Sequence, residues 1–481
     1  MHDDTQVARV FEMGKVLRNG VFPVRIVPDL GYGFGYPIFN FYAPLAYYIG
    51  GIFMLLGFDA LVATKMTMAL GIVLASVFMY LLAKEFFGKL GGIISGLFYV
   101  YAPYHALDIY VRGDVAEFWA YAFIPLAFLG IYKVFENSKL KTQNSKLLAS
   151  LKLRRSGQFK IQKFGVVGAL GFAGIILSHN LTALMVVPFL IVFGLILIIF
   201  SKKEVRILYT LYFILYTFLG LTLSAFYWIP AILEMKYTNV LSQIGGGADF
   251  RDHFVCISQL WDSLWGFGGS VAGCIDGLSF KIGKLHIIVS LIAIALVFIA
   301  TRNKNYNSYK YYILLAFSGF VISIFFTLEI SKPIWETIPV MAFFQYPWRF
   351  LLLASFFSSL IAGSLVLLLS QFKVKPFLIA LLLVFILLFF NIKLFNPQTI
   401  LHKPVADYTS EYALKWTASK ISDEYLSPNF KKPKNEKGIA KGEANIKVDE
   451  TNIEKISNMV SLIGLLAIAL GIVSKRKAKD E

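Results

Sequence analysis

Apolar residues run through most of the chain in blocks of about 20, the length an α-helix needs to cross a hydrocarbon core of ~30 Å. Short polar turns separate them. The blocks fall at 60–83, 90–106, 115–135, 164–180, 181–200, 207–230, 285–301, 311–328, 350–370, 376–394 and 457–474. This pattern predicts an all-α polytopic membrane protein with about 11 spanning helices. A further apolar stretch, 38–56, is rich in aromatics, carries Pro44 near its start and ends three residues before the next block. It reads either as another span or as a helix lying on the membrane.

Charge then orients the bundle, because short cytoplasmic turns collect Lys and Arg. With the basic tail 475–481 inside, alternation puts 84–89, 133–163, 202–206, 302–310 and 371–375 inside too. These turns and the tail hold 23 Lys and Arg, against Arg112, Lys332 and Arg349 in the short turns on the other side. The expected location is a prokaryotic cytoplasmic membrane with the C-terminus cytoplasmic. An odd number of spans leaves residues 1–59 outside, and the expectation is a first spanning helix missing upstream of Met1. If 38–56 crosses instead, the N-terminus is inside and the count closes.

The expected organisation is an outer loop with juxtamembrane helices (1–59), a membrane domain (60–394), an outer polar segment that is partly disordered (395–456), and a last span with its tail (457–481). The basic loop 136–163 nearly repeats itself and reads as a solvated cytoplasmic insertion. The outer stretch 231–284, with Trp261, Trp265 and a Gly-rich run, reads as an ordered loop covering a site. No soluble stretch shows a core of its own.

Composition narrows the chemistry. Hydrophobic residues make up 57% and charged ones 16%, so the net charge of +17 reads as membrane topology, with no nucleic-acid partner. Cys256 and Cys274 allow one disulfide at most, in the outer loop. ATP-loop, zinc-protease, serine-hydrolase and dithiol motifs are absent, and GYGFG at 31–35, with no strand before it, reads as a turn.

Polar residues near membrane depth are costly and need a reason, and four groups fall on the outer side. The first is Asp3 and Asp4, ahead of a stripe of Val7, Val10, Phe11 and Val16 or Leu17 with Arg9 and Lys15 polar, which suits an interfacial helix. Carboxylates there also cap helices. The second is Arg112, Asp114 and Glu117, an ion-pair set or a phosphate grip. His179 and Asn180 form the third, in a turn where a histidine also serves structure alone. Gln345, Trp348 and Arg349 form the fourth, at an aromatic belt where Arg349 also has a snorkelling role open to it.

The run GVFPVRIVPDLGYGFGYPIFNFYAPLAYY, then APYHALDIYVRGDVAEFWAYAFIPL, LSHNLTAL and QYPWRF, resembles prokaryotic membrane proteins related to 6-pyruvoyl-tetrahydropterin synthase, over roughly residues 2–395. Those proteins look in turn like the GT-C superfamily of polyprenyl-phosphate-sugar-dependent glycosyltransferases. The resemblance implies a GT-C-like helical bundle whose first outer loop opens on a catalytic acid, Asp3 or Asp4. It makes 38–56 a juxtamembrane helix and supports a missing first span. Pterin chemistry is rejected, because the six histidines form no zinc-binding cluster.

The implied function is transfer of a sugar from a polyprenyl-phosphate donor to a glycan, lipid or protein acceptor. Asp3 or Asp4 acts as base, and Arg112 and Arg349 with His179 neutralise the leaving phosphate. Asp114, Glu117, Asn180, Gln345 and Trp348 complete the substrate-binding set. No metal ligands or cofactor are assigned, and a divalent ion is left open. The competing reading is a non-catalytic lipid or polysaccharide translocase or envelope assembly factor, which calls for polar residues at mid-depth in several helices.

Overall fold

The computed structural model describes residues 3–143, 151–300, 307–397, 399–442, 444 and 449–480. Among them the chain is helical, and β-structure is limited to isolated bridges such as Val27 with Tyr36. The main helices are α1 (Thr5–Arg18), α2 (Leu45–Leu55), α3 (Ala60–Val100), α4 (Val115–Gln143) and α5 (Leu151–Ser178). Then come α6 (Asn180–Ile199), α7 (Lys203–Leu223), α8 (Ala225–Leu233), α9 (Lys284–Ala300), α10 (Asn307–Thr327), α11 (Leu351–Ser370), α12 (Pro376–Asn391) and α13 (Asn452–Asp480).

Eight helices among the described residues are long and apolar enough to cross a membrane, and Leu45–Leu55, Gly165–Ser178 and Lys284–Ile299 are shorter apolar helices. The protein is therefore an all-α, multi-pass membrane protein. α3, at 41 residues, would reach roughly 60 Å if straight, twice one crossing. It reverses at Gly88, whose φ of 73° lies in the left-handed region that glycine adopts without strain. A Cβ on Gly92 would stand 2.9 Å from Lys84 Cβ, and one on Gly96 3.0 Å from the Ser76 carbonyl oxygen. Both approaches require the two halves to lie side by side, which recovers the separate blocks at 60–83 and 90–106. α2 has 11 residues, roughly 16 Å, too short to cross. The block at 207–230 divides at Ser224, where α8 turns off to pack against α13.

α4 and α11 form the hub. In each, 89% of the most apolar window is buried, against 22–44% in the other six long helices, whose exposed Phe218, Phe385 and Phe389 suit lipid. α11 can sit inside because it carries small residues that let backbones approach. At its crossing with α3, Gly363 and Gly91 each leave no room for a Cβ on the other. Gly363→Ala is expected to cost about 1–3 kcal/mol through this overpacking, read as a lower unfolding temperature in detergent.

Two expectations are corrected at one end of the bundle, the site end. α1 was expected to lie at an interface with Arg9 polar, yet Arg9 and Glu12 are both buried. Residues 395–456 were expected to be partly disordered, without a core of their own. Residues 3–59 and 405–430 instead build a joint core from Val7, Val10, Met13, Tyr36, Leu414 and Tyr425, separate from the core among the spans. The Lys-rich stretch continues this packing to residue 442. Buried Lys415 donates to Glu411 (2.6 Å) and the Gly442 carbonyl (2.6 Å), and Ala440 N–H to Tyr32 O (3.0 Å). Residues 445–448 and the middle of the 136–163 loop lie outside the described residues.

Candidate functional site

The site begins in the short connection between the α3 hairpin and α4. Pro103–Ala106 leads into a π-helical turn, Leu107–Arg112, closed by the Gly113 N–H donating to Asp108 O (2.8 Å). Gly113 then takes φ 69° to start α4, and Asp114 caps that helix by accepting the Glu117 N–H at 3.0 Å. The spacing D-x-x-E therefore has a structural role as well as a chemical one.

The wide turn aims Arg112 at three acids. Its Nη2 donates to Asp114 Oδ2 and Glu117 Oε2, both at 2.9 Å, and its Nη1 to Asp108 and to Tyr104 Oη (3.2 Å). Glu117 is fully buried and also accepts the Tyr104 hydroxyl at 2.5 Å. The guanidinium lies 4.8 Å over the Trp348 ring, which stacks on Phe280 (5.6 Å) and Tyr346 (5.1 Å). Asp108 and Tyr104 were missing from the sequence-derived set. The signal was the i, i+4 spacing of Asp108 and Arg112.

Arg349 is the least satisfied member. It is 8% exposed, and its Nε stands 3.8 Å from Glu117 Oε2. Neither Nε nor Nη1 makes a hydrogen bond, although a buried guanidinium normally fills its donors. Two donors beside a carboxylate cluster are thus left for a further acceptor.

His179 caps α6 through Nδ1, which contacts Thr182 Oγ1 (2.8 Å) and Thr182 N (3.3 Å). A ligand atom of His179 lies within 4.8 Å of those of Asp114 and Glu117, with which it could hold a metal ion. Hard oxygen donors with one imidazole suit a divalent ion. The cap uses the Nδ1 lone pair for the Thr182 N–H; a cation on Nε2 requires the other tautomer, in which Nδ1–H donates to Thr182 Oγ1 in place of that cap bond.

Electrostatics sort the acids. Burial alone would raise Asp114, but Arg112 and His179 hold it down at about 2. Burial raises Asp108 well above the carboxylate range, with Glu117 adding repulsion, so its neutral form is favoured. Burial lowers His179. One ionised Asp114 and one Glu117 then balance Arg112 and Arg349. Asp114→Asn should cost about 2 kcal/mol at neutral pH. Its carboxyl is depressed from 3.8, so this stability is present above that value and is lost as pH falls toward 2. The gap in unfolding temperature between wild type and variant should be constant above about pH 5, narrow below about pH 4 and nearly close by about pH 2.

Asp3 reaches this cluster through its backbone, whose N–H donates to Arg112 O (3.1 Å). Its carboxylate accepts from Thr5 N (3.1 Å), Thr5 Oγ1, Gln6 Nε2 (2.6 Å) and Arg9 Nη1 (3.5 Å), so its acceptor positions are filled. Asp4 is exposed. Gln345 instead donates to Gln243 O (2.8 Å), tying the 231–284 loop over the site. Asn180 lines an apolar cavity of about 320 Å³ with Phe172, Leu184, Leu221, Trp228 and Ile232. In that loop Cys256 and Cys274 form a disulfide.

No family model matches the chain, and no solved structure matches it. A stretch of 237 residues is 24% identical to a protein of Lactococcus lactis subsp. cremoris (strain MG1363) described only as uncharacterized, and covers 48% of this chain and 35% of that protein. The match spans about a third of that relative's length.

Proposed function

We propose that the protein is a membrane glycosyltransferase of GT-C type that takes a sugar from a polyprenyl-phosphate donor on the extracytoplasmic face, the C-terminus being cytoplasmic. The observation that carries this reading is Arg349, buried with two guanidinium donors unfilled one residue beyond Trp348. A phosphate oxygen is the acceptor such a fork suits. The apolar cavity at Asn180 begins one residue from His179, so an isoprenoid chain in the cavity brings its phosphate toward the cluster.

The site is electroneutral with Asp114 and Glu117 ionised, and an arriving phosphate adds negative charge that preorganised cations must offset. Arg349 turns its free donors to the phosphate, and Arg112 holds Asp114 and Glu117 in place. Asp114, Glu117 and His179 would hold a divalent ion, which supplies further positive charge to the leaving phosphate when bound. The acceptor hydroxyl loses its proton to the acid pair at the N-terminus. Asp3 fixes that pair against Arg112, and the exposed Asp4 offers the carboxylate that accepts the proton.

Arg349→Lys tests the reading directly. Lysine keeps the charge and loses the fork, so polyprenyl-phosphate affinity in nanodiscs should fall about tenfold, near 1.4 kcal/mol. Unchanged affinity for both Arg349→Lys and Arg349→Gln would remove the phosphate site.

A further inference from the structure

The disulfide loop carries a surface that the site does not use. Among its residues Leu264 is 80% exposed, Ile275 85% and Trp261 44%, a concentration of apolar surface that water disfavours. Cations lie among these rings. Lys281 Nζ is 5.5 Å from the Trp265 ring, and Lys284 Nζ is 5.9 Å from that of Trp261. Lys284 pairs with Asp262 at 2.6 Å. Lys393, just beyond α12, is close enough to act electrostatically on both Asp262 and Lys281. Among the described residues neither Lys281 nor Lys393 makes an ion pair, so the patch keeps an excess of positive charge.

Chain connectivity gives the depth of this patch. Lys284 is the first residue of α9, and Lys393 lies just past the end of α12. Both helices show apolar faces to their surroundings, with Leu291 at 55% and Phe389 at 70% exposed. Their site-end termini mark where the chain leaves the hydrocarbon, and the loop's rings and lysines stand beside those termini. Tryptophans and lysines at that level are the composition of an interfacial anchor. Two lysines without an ion-pair partner complement the phosphates of anionic lipids.

We propose that the 257–284 loop is a membrane anchor seated in the headgroup layer at the site end of the bundle. Trp261, Trp265 and Leu264 meet the upper acyl region there, and Lys281 and Lys393 bind the phosphates of anionic lipids. The anchor bears on the site through Phe280, which stacks on Trp348 at 5.6 Å, so lipid contact on one side of the loop braces the aromatic floor beneath Arg112 on the other. The inference stands whether or not the protein transfers sugar.

The test uses the full chain in vesicles, with Leu264→Trp as a reporter at an exposed position that packing does not constrain. Its added emission should be strongly quenched by phosphatidylcholine brominated high on its acyl chains and little quenched by aqueous acrylamide. In a phosphatidylcholine background, brominated phosphatidylglycerol should quench it more than an equal fraction of brominated phosphatidylcholine. Lys281→Gln combined with Lys393→Gln should abolish that preference. Acrylamide quenching without bromolipid quenching would overturn the anchor and leave a face for water or a protein partner. Equal quenching by both bromolipids in the reporter protein, or a preference that survives both lysine changes, would overturn the anionic-lipid site. The conservative Trp261→Phe gives a second reading, since bromolipid should then remove less of the intrinsic emission than in wild type.

Discussion

Asp4→Asn is expected to slow sugar transfer by about 10²–10⁴-fold, the usual contribution of a positioned base, with thermal stability and polyprenyl-phosphate affinity unchanged. The asymmetry within the acid pair carries this expectation. Asp3 gives its carboxylate to Thr5, Gln6 and Arg9, whereas Asp4 is exposed and an amide there loses no buried contact. Asp3→Asn should behave differently, because it removes the partner of buried Arg9 and should lower the unfolding temperature as well as the rate. Transfer followed with a radiolabelled donor separates the two. An Asp4→Asn protein that works at the wild-type rate sinks the base assignment.

Arg112→Met is expected to cost about 3–5 kcal/mol of stability, the range seen when one partner of a buried ionic cluster is removed. The guanidinium joins Asp108, Asp114 and Glu117, and among the described residues no other cation stands as close to Glu117, since Arg349 is 3.8 Å away. Arg112→Lys should recover only part of the loss, because a point charge cannot reach all three acids at once. Adding Glu117→Gln to Arg112→Met should return stability by relieving the stranded charge. Chemical unfolding in detergent reads all three variants. If the double change is no more stable than Arg112→Met alone, the cluster is not held by charge.

Much of the membrane body was legible because apolar block length is a direct physical signal: a helix in hydrocarbon must be long and must satisfy its own backbone. Gly88 fell inside the predicted turn at 84–89, and the short α2 fits the membrane-lying reading of 38–56. The cluster was legible where an ionisable residue stood at the edge of an apolar block, as Arg112, Glu117 and Arg349 do. Asp108 was missed because its i, i+4 spacing to Arg112 does not by itself show that a π-turn buries it among the other acids. The burial of Arg9 was also hidden. Its contacts include Ser422 Oγ at 3.3 Å, 413 residues away, and the sequence of α1 alone cannot show what will cover it.

That separation also sets an order of events during synthesis. The core that encloses α1 takes residues from both ends of the polypeptide, including Leu414 and Tyr425. At roughly 5–20 residues per second, the ribosome needs about 20–80 s to travel between Arg9 and its partner Ser422. For that interval the spans of the hub can insert and pair, while α1 lacks its cover and Arg9 its seat. Completion of the lobe around Asp3 is therefore one of the last acts of the nascent chain, and a polypeptide released before residue 405 would have the helices up to α12 but neither α13 nor the enclosure that holds its N-terminal acids.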